Sequence, residues 1–149
     1  RPDVYKRQIH AIETFATRHP DVHLFPDLGT TVYLNLVRRA SAMVGNSSSG
    51  IIEAASFKLP VVNIGTRQEG RVRAGNVIDC GYEVNEISAA LRRATNSAFY
   101  DSLTDLHNPY GDGYAADLIV ERLSNIPLGN ELMVKRFYPT PSHGEVVEV

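Results

Sequence analysis

Apolar positions along this chain switch repeatedly between a helical spacing and short unbroken runs. "QIHAIETFATRHP" carries Ile9, Ile12, Phe15 and Ala16 at helical spacing, and Pro20 ends the run. "VHLFP" predicts a short strand ended by Pro26, and "TTVYLNLVRRAS" a helix whose Arg38 and Arg39 complement its C-terminal dipole. "SAMVGN", "PVVNIG" and "NVIDCG" read as buried strands, with a helix predicted over "SGIIEAASFK" and a polar loop over "RQEGRVRAG". "NEISAALRRATN" is amphipathic, with Asn85 as its expected cap, and "GDGYAADLIVERLSN" is the last strong helix. Beyond it the pattern is less regular: "ELMVKRFYP" is consistent with one more short element, and "TPSHGEVVEV" with a loose end. Short apolar strands alternating with helices predict an α/β fold with a parallel sheet buried on both faces.

Composition narrows the class. A chain of 149 residues favours one domain, 43% hydrophobic content supports a core, and a charged fraction of 21% argues against disorder. A net charge of −2 lacks the basic footprint of a nucleic-acid binder. No apolar run approaches the ~20 residues that span a bilayer, and no signal peptide is evident. Cys80 is the single cysteine, which leaves no disulfide framework or cysteine-based zinc site, and a buried thiol is expected there. A soluble cytoplasmic domain is the expectation. "RPDVYKRQ" lacks a methionine and runs at once into a helical pattern. Residues 1–7 are accordingly expected to be a scar or a disordered start, with upstream sequence missing. Residues 8–126 are then the Rossmann-like domain, and residues 127–149 a partly irregular extension.

The candidate chemistry lies in "VGNSSSGIIEAA", residues 44–55, where a strand meets a serine-rich turn and then a helix. Ligands of open parallel sheets bind at such strand ends. Ser47 and Ser48 offer hydroxyl donors, Gly50 lets an anion approach the backbone, and the helix start adds N–H groups, which together suit a phosphate. Neither the Walker pattern nor the dinucleotide glycine fingerprint is present. Equally open is a plain capping role, with Ser49 or Asn46 as the cap and Glu53 as its partner. Glu53 can also accept two hydrogen bonds from a ribose diol. Arg67, Arg71 and Arg73 follow the next strand, where guanidinium forks suit phosphate oxygens or form an ordinary solvated loop. The loop at residues 26–30 can hold a base through backbone groups. The glycine-rich stretch at residues 110–113 is either a further helix start on the same crevice or an ordinary turn.

"GNSSSGIIEAASFKLPVVNIGTRQEGRVRAGNVIDC" resembles the C-terminal half of UDP-N-acetylglucosamine 2-epimerases. Within it "GNSSSG", the following glutamate and "NIGTRQEGR" resemble the hydrolysing branch, which makes precursors of sialic and related nonulosonic acids. "NPYGDG" is shared more widely in the family, "KRFYP" also fits, and residues 21–113 carry most of the resemblance. It implies the two-domain GT-B fold, with this chain supplying most of the second, UDP-binding domain. It implies that Ser47, Ser48, Gly50 and Arg67 meet the diphosphate, that Glu53 holds the ribose hydroxyls, and that uracil rests on the loop near Leu28. Asn46, Gln68, Arg71, Tyr110 and Gly111 are accessory candidates.

The family's acid/base carboxylates belong to its N-terminal domain, and a functional histidine to the start of the second. His10, His19, His23, His107 and His143 match no catalytic motif, so no catalytic residue is assigned in this chain. The resemblance implies a UDP-sugar substrate; no cofactor or metal is expected, charge and hydropathy leave no nucleic acid or membrane partner, and a homo-oligomer is expected for the full-length protein. A donor-binding domain of a GT-B glycosyltransferase and a non-catalytic nucleotide-sugar binding fragment are the alternatives.

Overall fold

The computed structural model describes residues 2–134. In order, the elements are α1 (Pro2–Arg18), α2 (Gly29–Val37), β1 (Met43–Gly45), α3 (Ser48–Ile52), β2 (Val61–Ile64), β3 (Val77–Cys80), α4 (Val84–Ala94), α5 (Ser97–Asp101), α6 (Ala115–Asn125) and α7 (Asn130–Met133). The three strands form one parallel sheet in the order β1-β2-β3, with Met43 beside Val61 and Val61 beside Val77.

The central strand explains why the sheet is a buried one. Successive side chains of a strand point to opposite faces. Val61 packs with Val37, Ala54 and Leu59 on one face, and Val62 with Ile78, Ala90 and Ala94 on the other. Helix α2 and the turn after α3 thus cover one side, and α4 the other, giving three layers. Burying each valine contributes about 1.5–3 kcal/mol, so neither face of β2 can be uncovered cheaply. Asn76 ties the strand starts together: its side-chain amide donates to Leu59 O at 2.7 Å, and its backbone carbonyl accepts from Val61 N at 2.8 Å.

Several expectations need correction. "VHLFP" forms no strand. It follows Pro20 and ends in Pro26, neither of which can donate to a ladder, and Phe25 is 60% exposed. The sheet therefore has three strands where the periodicity suggests four. The run "SGIIEAASFK" is not one helix: α3 stops at Ile52, and Ala54–Phe57 is a 3-10 turn. Lys58, in the left-handed conformation at φ 54°, closes that turn, and its ammonium donates to Thr104 O. Helix α4 starts at Val84, so Asn85 lies in its first turn and is not its cap. The earlier start lets the chain leave β3 with Glu83 extended and its carbonyl accepting from Ile87 N at 3.0 Å. Helix α5 was not anticipated. Asn96 caps it, its Oδ1 accepting from Ala98 N at 2.9 Å. Cys80 is half-buried, not buried.

The described residues from Gly111 onward belong to a second compact unit. Its described part holds α6, which exposes Leu118, Ile119, Val120 and Leu123, and the short α7, which starts one residue before the expected element over "ELMVKRFYP" and overlaps its first three residues. "KRFYP" and His143 lie outside the described residues. No described helix is long and apolar enough to cross a membrane.

Candidate functional site

The serine turn sits directly after β1. Ser47 is the cap of α3: its backbone is extended, and its Oγ accepts from Ser49 N at 3.3 Å. The cap is therefore neither Asn46, which lies one residue before it, nor Ser49, which lies two residues on and supplies the N–H being capped. The Gly50 N–H is taken by Ser47 O at 3.2 Å. A Cβ on Gly50 would stand 2.9 Å from Val61 Cγ1, so this glycine lets the turn lie close on the sheet. Ser48 is half-buried, and its hydroxyl has no partner among the described residues.

Glu53 does not reach back to a cap. It ends α3, and its Oε2 accepts from Ser49 Oγ at 2.5 Å, one turn away. Ser49 Oγ in turn contacts the phenol of Tyr33 on α2. Tyr33 also lines an open groove of about 540 Å³ formed with residues 25–30, including Leu28. Asp27 Oδ1 accepts from Gly29 N at 2.8 Å and shapes that loop into the start of α2.

The loop after β2 folds onto the serine turn. It begins at Gly65, whose φ of 74° favours glycine and whose missing Cβ leaves room for the Tyr82 hydroxyl. Arg67 donates from Nη1 to Asn46 O at 3.2 Å and to Asn46 Oδ1 at 3.4 Å. Gln68 donates from Nε2 to the same Asn46 carbonyl at 2.8 Å. Gln68 is 3% exposed, and its Oε1 has no hydrogen-bond partner.

The three arginines of this loop do not act alike. Arg73 is committed to Asp79, with Nε 2.9 Å from Oδ2, and also donates to Arg71 O at 2.9 Å. Asp79 Oδ1 accepts from buried Asn63 at 2.6 Å. Arg73 is thus a strut of the loop, Arg71 is exposed, and Arg67 is the guanidinium that meets the serine turn. The loop's far side is held by the Tyr110 hydroxyl, which donates to Val72 O at 2.9 Å. Asn108 positions Tyr110: its Oδ1 accepts from Tyr110 N at 2.9 Å, and its Nδ2 donates to Ile52 O at 2.8 Å.

Ser47, Ser48, Glu53, Arg67, Gln68 and Asn46 are accordingly brought together, with the Leu28 loop joined to them through Tyr33. Tyr110 braces the arginine loop, while Gly111 lies in the second unit. Tyr33, Asn108 and Asp79 were missed by motif reading. Asn108 carried a signal, since Asn before proline favours a turn; Tyr33 reads as one more apolar position of a helix. The Cys80 thiol is pushed above its ordinary pKa by burial, then by the nearby Glu86 and Asp79 carboxylates. Among the described residues, no group of three or more His, Cys, Asp or Glu could hold a metal ion.

A parallel three-layer sheet with a serine turn and an arginine loop at its strand ends is an α/β, Rossmann-like arrangement. Residues 2–124 match the UDP-N-acetylglucosamine 2-epimerase family, and the chain belongs to that family. It is 40% identical over 117 residues to a Legionella pneumophila UDP-N,N'-diacetylbacillosamine 2-epimerase (hydrolyzing), covering 78% of this chain and 30% of that protein. It is 47% identical over 76 residues to a Campylobacter jejuni GDP/UDP-N,N'-diacetylbacillosamine 2-epimerase (hydrolyzing), covering 51% of this chain and 19% of that protein. A crystal structure of a UDP-N-acetylglucosamine 2-epimerase superposes with a TM-score of 0.58 at 26% identity, over 75% of this chain and 32% of that one. The chain thus spans no more than about 30% of the length of these curated relatives.

Proposed function

We propose that this chain is the UDP-binding part of a hydrolysing UDP-N-acetylglucosamine 2-epimerase, the second domain of a GT-B fold. The parent enzyme would act on UDP-N-acetylglucosamine or a diacetamido relative. In that reaction the anomeric C–O bond breaks with loss of the C2 proton, releasing UDP and leaving a 2-acetamidoglycal. Water then adds across the double bond, placing a proton on the opposite face of C2 and a hydroxyl on C1. The product is a 2-epimer sugar of the kind used for nonulosonic acids.

The observation that carries this reading is the attachment of Arg67 to Asn46, which brings a guanidinium to the turn that carries Ser47 and Ser48. Such donors, fixed before the reaction, stabilise the charge that builds on a departing diphosphate. Gly50 contributes closeness of the turn to the sheet, since its N–H is already bonded. Glu53 is the ribose partner, and the groove at Leu28 takes the uracil. Gln68, Tyr110 and Asn108 hold the loops, and exposed Arg71 is an accessory residue of the same loop. Proton transfer at C2 falls to residues outside this chain.

Calorimetry with UDP tests the assignment. Ser48→Ala and Glu53→Ala are each expected to weaken binding, by roughly tenfold or more for the charged Glu53. Unchanged affinity in both variants would overturn the site. The 149-residue chain by itself is expected to release no 2-epimer from UDP-N-acetylglucosamine, and measurable turnover would place the proton chemistry within it.

A further inference from the structure

Tyr33 and Ser49 are 16 positions apart in sequence, yet their hydroxyls touch. Ser49 Oγ has one proton, and it goes to Glu53 Oε2. The other contact must then run from the phenol, with Tyr33 donating to Ser49 Oγ. The relay therefore has a fixed direction: phenol to hydroxyl to carboxylate. Its origin is rigid, because the Tyr33 ring packs against the cluster of Val37, Ala54, Leu59 and Val61.

We infer that Tyr33 is a positioning residue that sets the Glu53 carboxylate for a ribose diol, and so selects a ribonucleotide over its 2′-deoxy counterpart. The inference rests on the reading of Glu53 as the ribose partner. An exposed glutamate samples many rotamers, and ordering them on binding costs free energy. The relay holds one Oε2 lone pair and leaves the others, with all of Oε1, open to acceptance. Two adjacent hydroxyls are recognised together only when that carboxylate is already oriented. Tyr33 also lines the groove at Leu28, so one side chain borders the proposed base site and orients the proposed ribose site.

Calorimetry on the full 149-residue chain, with UDP and 2′-deoxy-UDP as probes, tests this. Wild type is expected to prefer UDP. Tyr33→Phe keeps the ring in the core and removes only the donor. It is expected to weaken UDP by about 3- to 10-fold while changing 2′-deoxy-UDP by less than about twofold. Ser49→Ala is expected to do the same, Ser49→Thr to retain the preference, and the double variant Tyr33→Phe/Ser49→Ala to be no worse than Ser49→Ala. Equal weakening of both nucleotides by Tyr33→Phe, or of neither, overturns the relay while leaving Glu53 as the ribose partner. A wild-type chain that does not distinguish the nucleotides overturns the reading of Glu53 itself, and the relay with it.

Discussion

Gln68 donates its side-chain amide to the backbone carbonyl of Asn46 across 2.8 Å, joining the loop after β2 to the turn after β1. The other end of that amide, Oε1, is buried without a partner. Gln68→Leu removes one good hydrogen bond and one unsatisfied acceptor, effects of about 1 kcal/mol each with opposite sign. Its stability in urea is expected to stay within about 1 kcal/mol of wild type, while its UDP affinity falls as the Arg67 loop loosens. A loss of stability with unchanged affinity would make Gln68 a core residue and nothing more.

Asp79 serves two donors of unequal burial. Arg73 is partly exposed, and an ion pair there contributes about 0–1 kcal/mol. Asn63 is 1% exposed, and removing its acceptor leaves a buried amide unpaired at about 1–3 kcal/mol. Asp79→Ala is therefore expected to destabilise the fold more than Arg73→Ala does. Denaturation midpoints compare the two, and the reverse order would show that the ion pair dominates.

Gly50 faces Val61 too closely for a methyl group. Gly50→Ala is expected to cost about 1–3 kcal/mol through overpacking. Trimming the opposing side chain should relieve part of this, so the combination with Val61→Ala is expected to be less destabilised than the sum of the singles by at least about 0.5 kcal/mol. Strict additivity would place the strain elsewhere.

For Cys80, burial and two nearby carboxylates favour the neutral thiol in the folded chain. Iodoacetamide labelling of the native chain should therefore rise at higher pH than labelling of the urea-unfolded chain. The sign for stability follows from linkage: the contribution is fully present below the unfolded thiol's pKa and is lost as pH rises through the higher folded one. Coincident labelling profiles would contradict this.

Periodicity sufficed for the fold class and for β1, β2 and β3, because burying a parallel strand on two faces demands the continuous apolar runs seen in "SAMVGN", "PVVNIG" and "NVIDCG". It failed at "VHLFP", where apolar composition suggested a strand but two prolines left none. It also missed the break at Glu53, since a helix and a 3-10 turn share nearly the same apolar spacing. At the site, Arg67 and Arg73 looked alike in sequence; only the position of Asp79 on the neighbouring strand separates them. Tyr33 was invisible for a similar reason, because its hydroxyl finds Ser49 only once α2 and α3 lie on the same face of the sheet.

Arg67 and Gln68 stand 21 and 22 positions from Asn46, and the pairing of β1 with β2 brings their two loops together. A nucleotide bridging them can bind the folded sheet and not the unfolded chain. Occupancy at 100 times its Kd would then add about 2.7 kcal/mol to folding stability. The ligand would act as a staple across the sheet, and its cellular concentration would help decide how long this part of the protein stays folded.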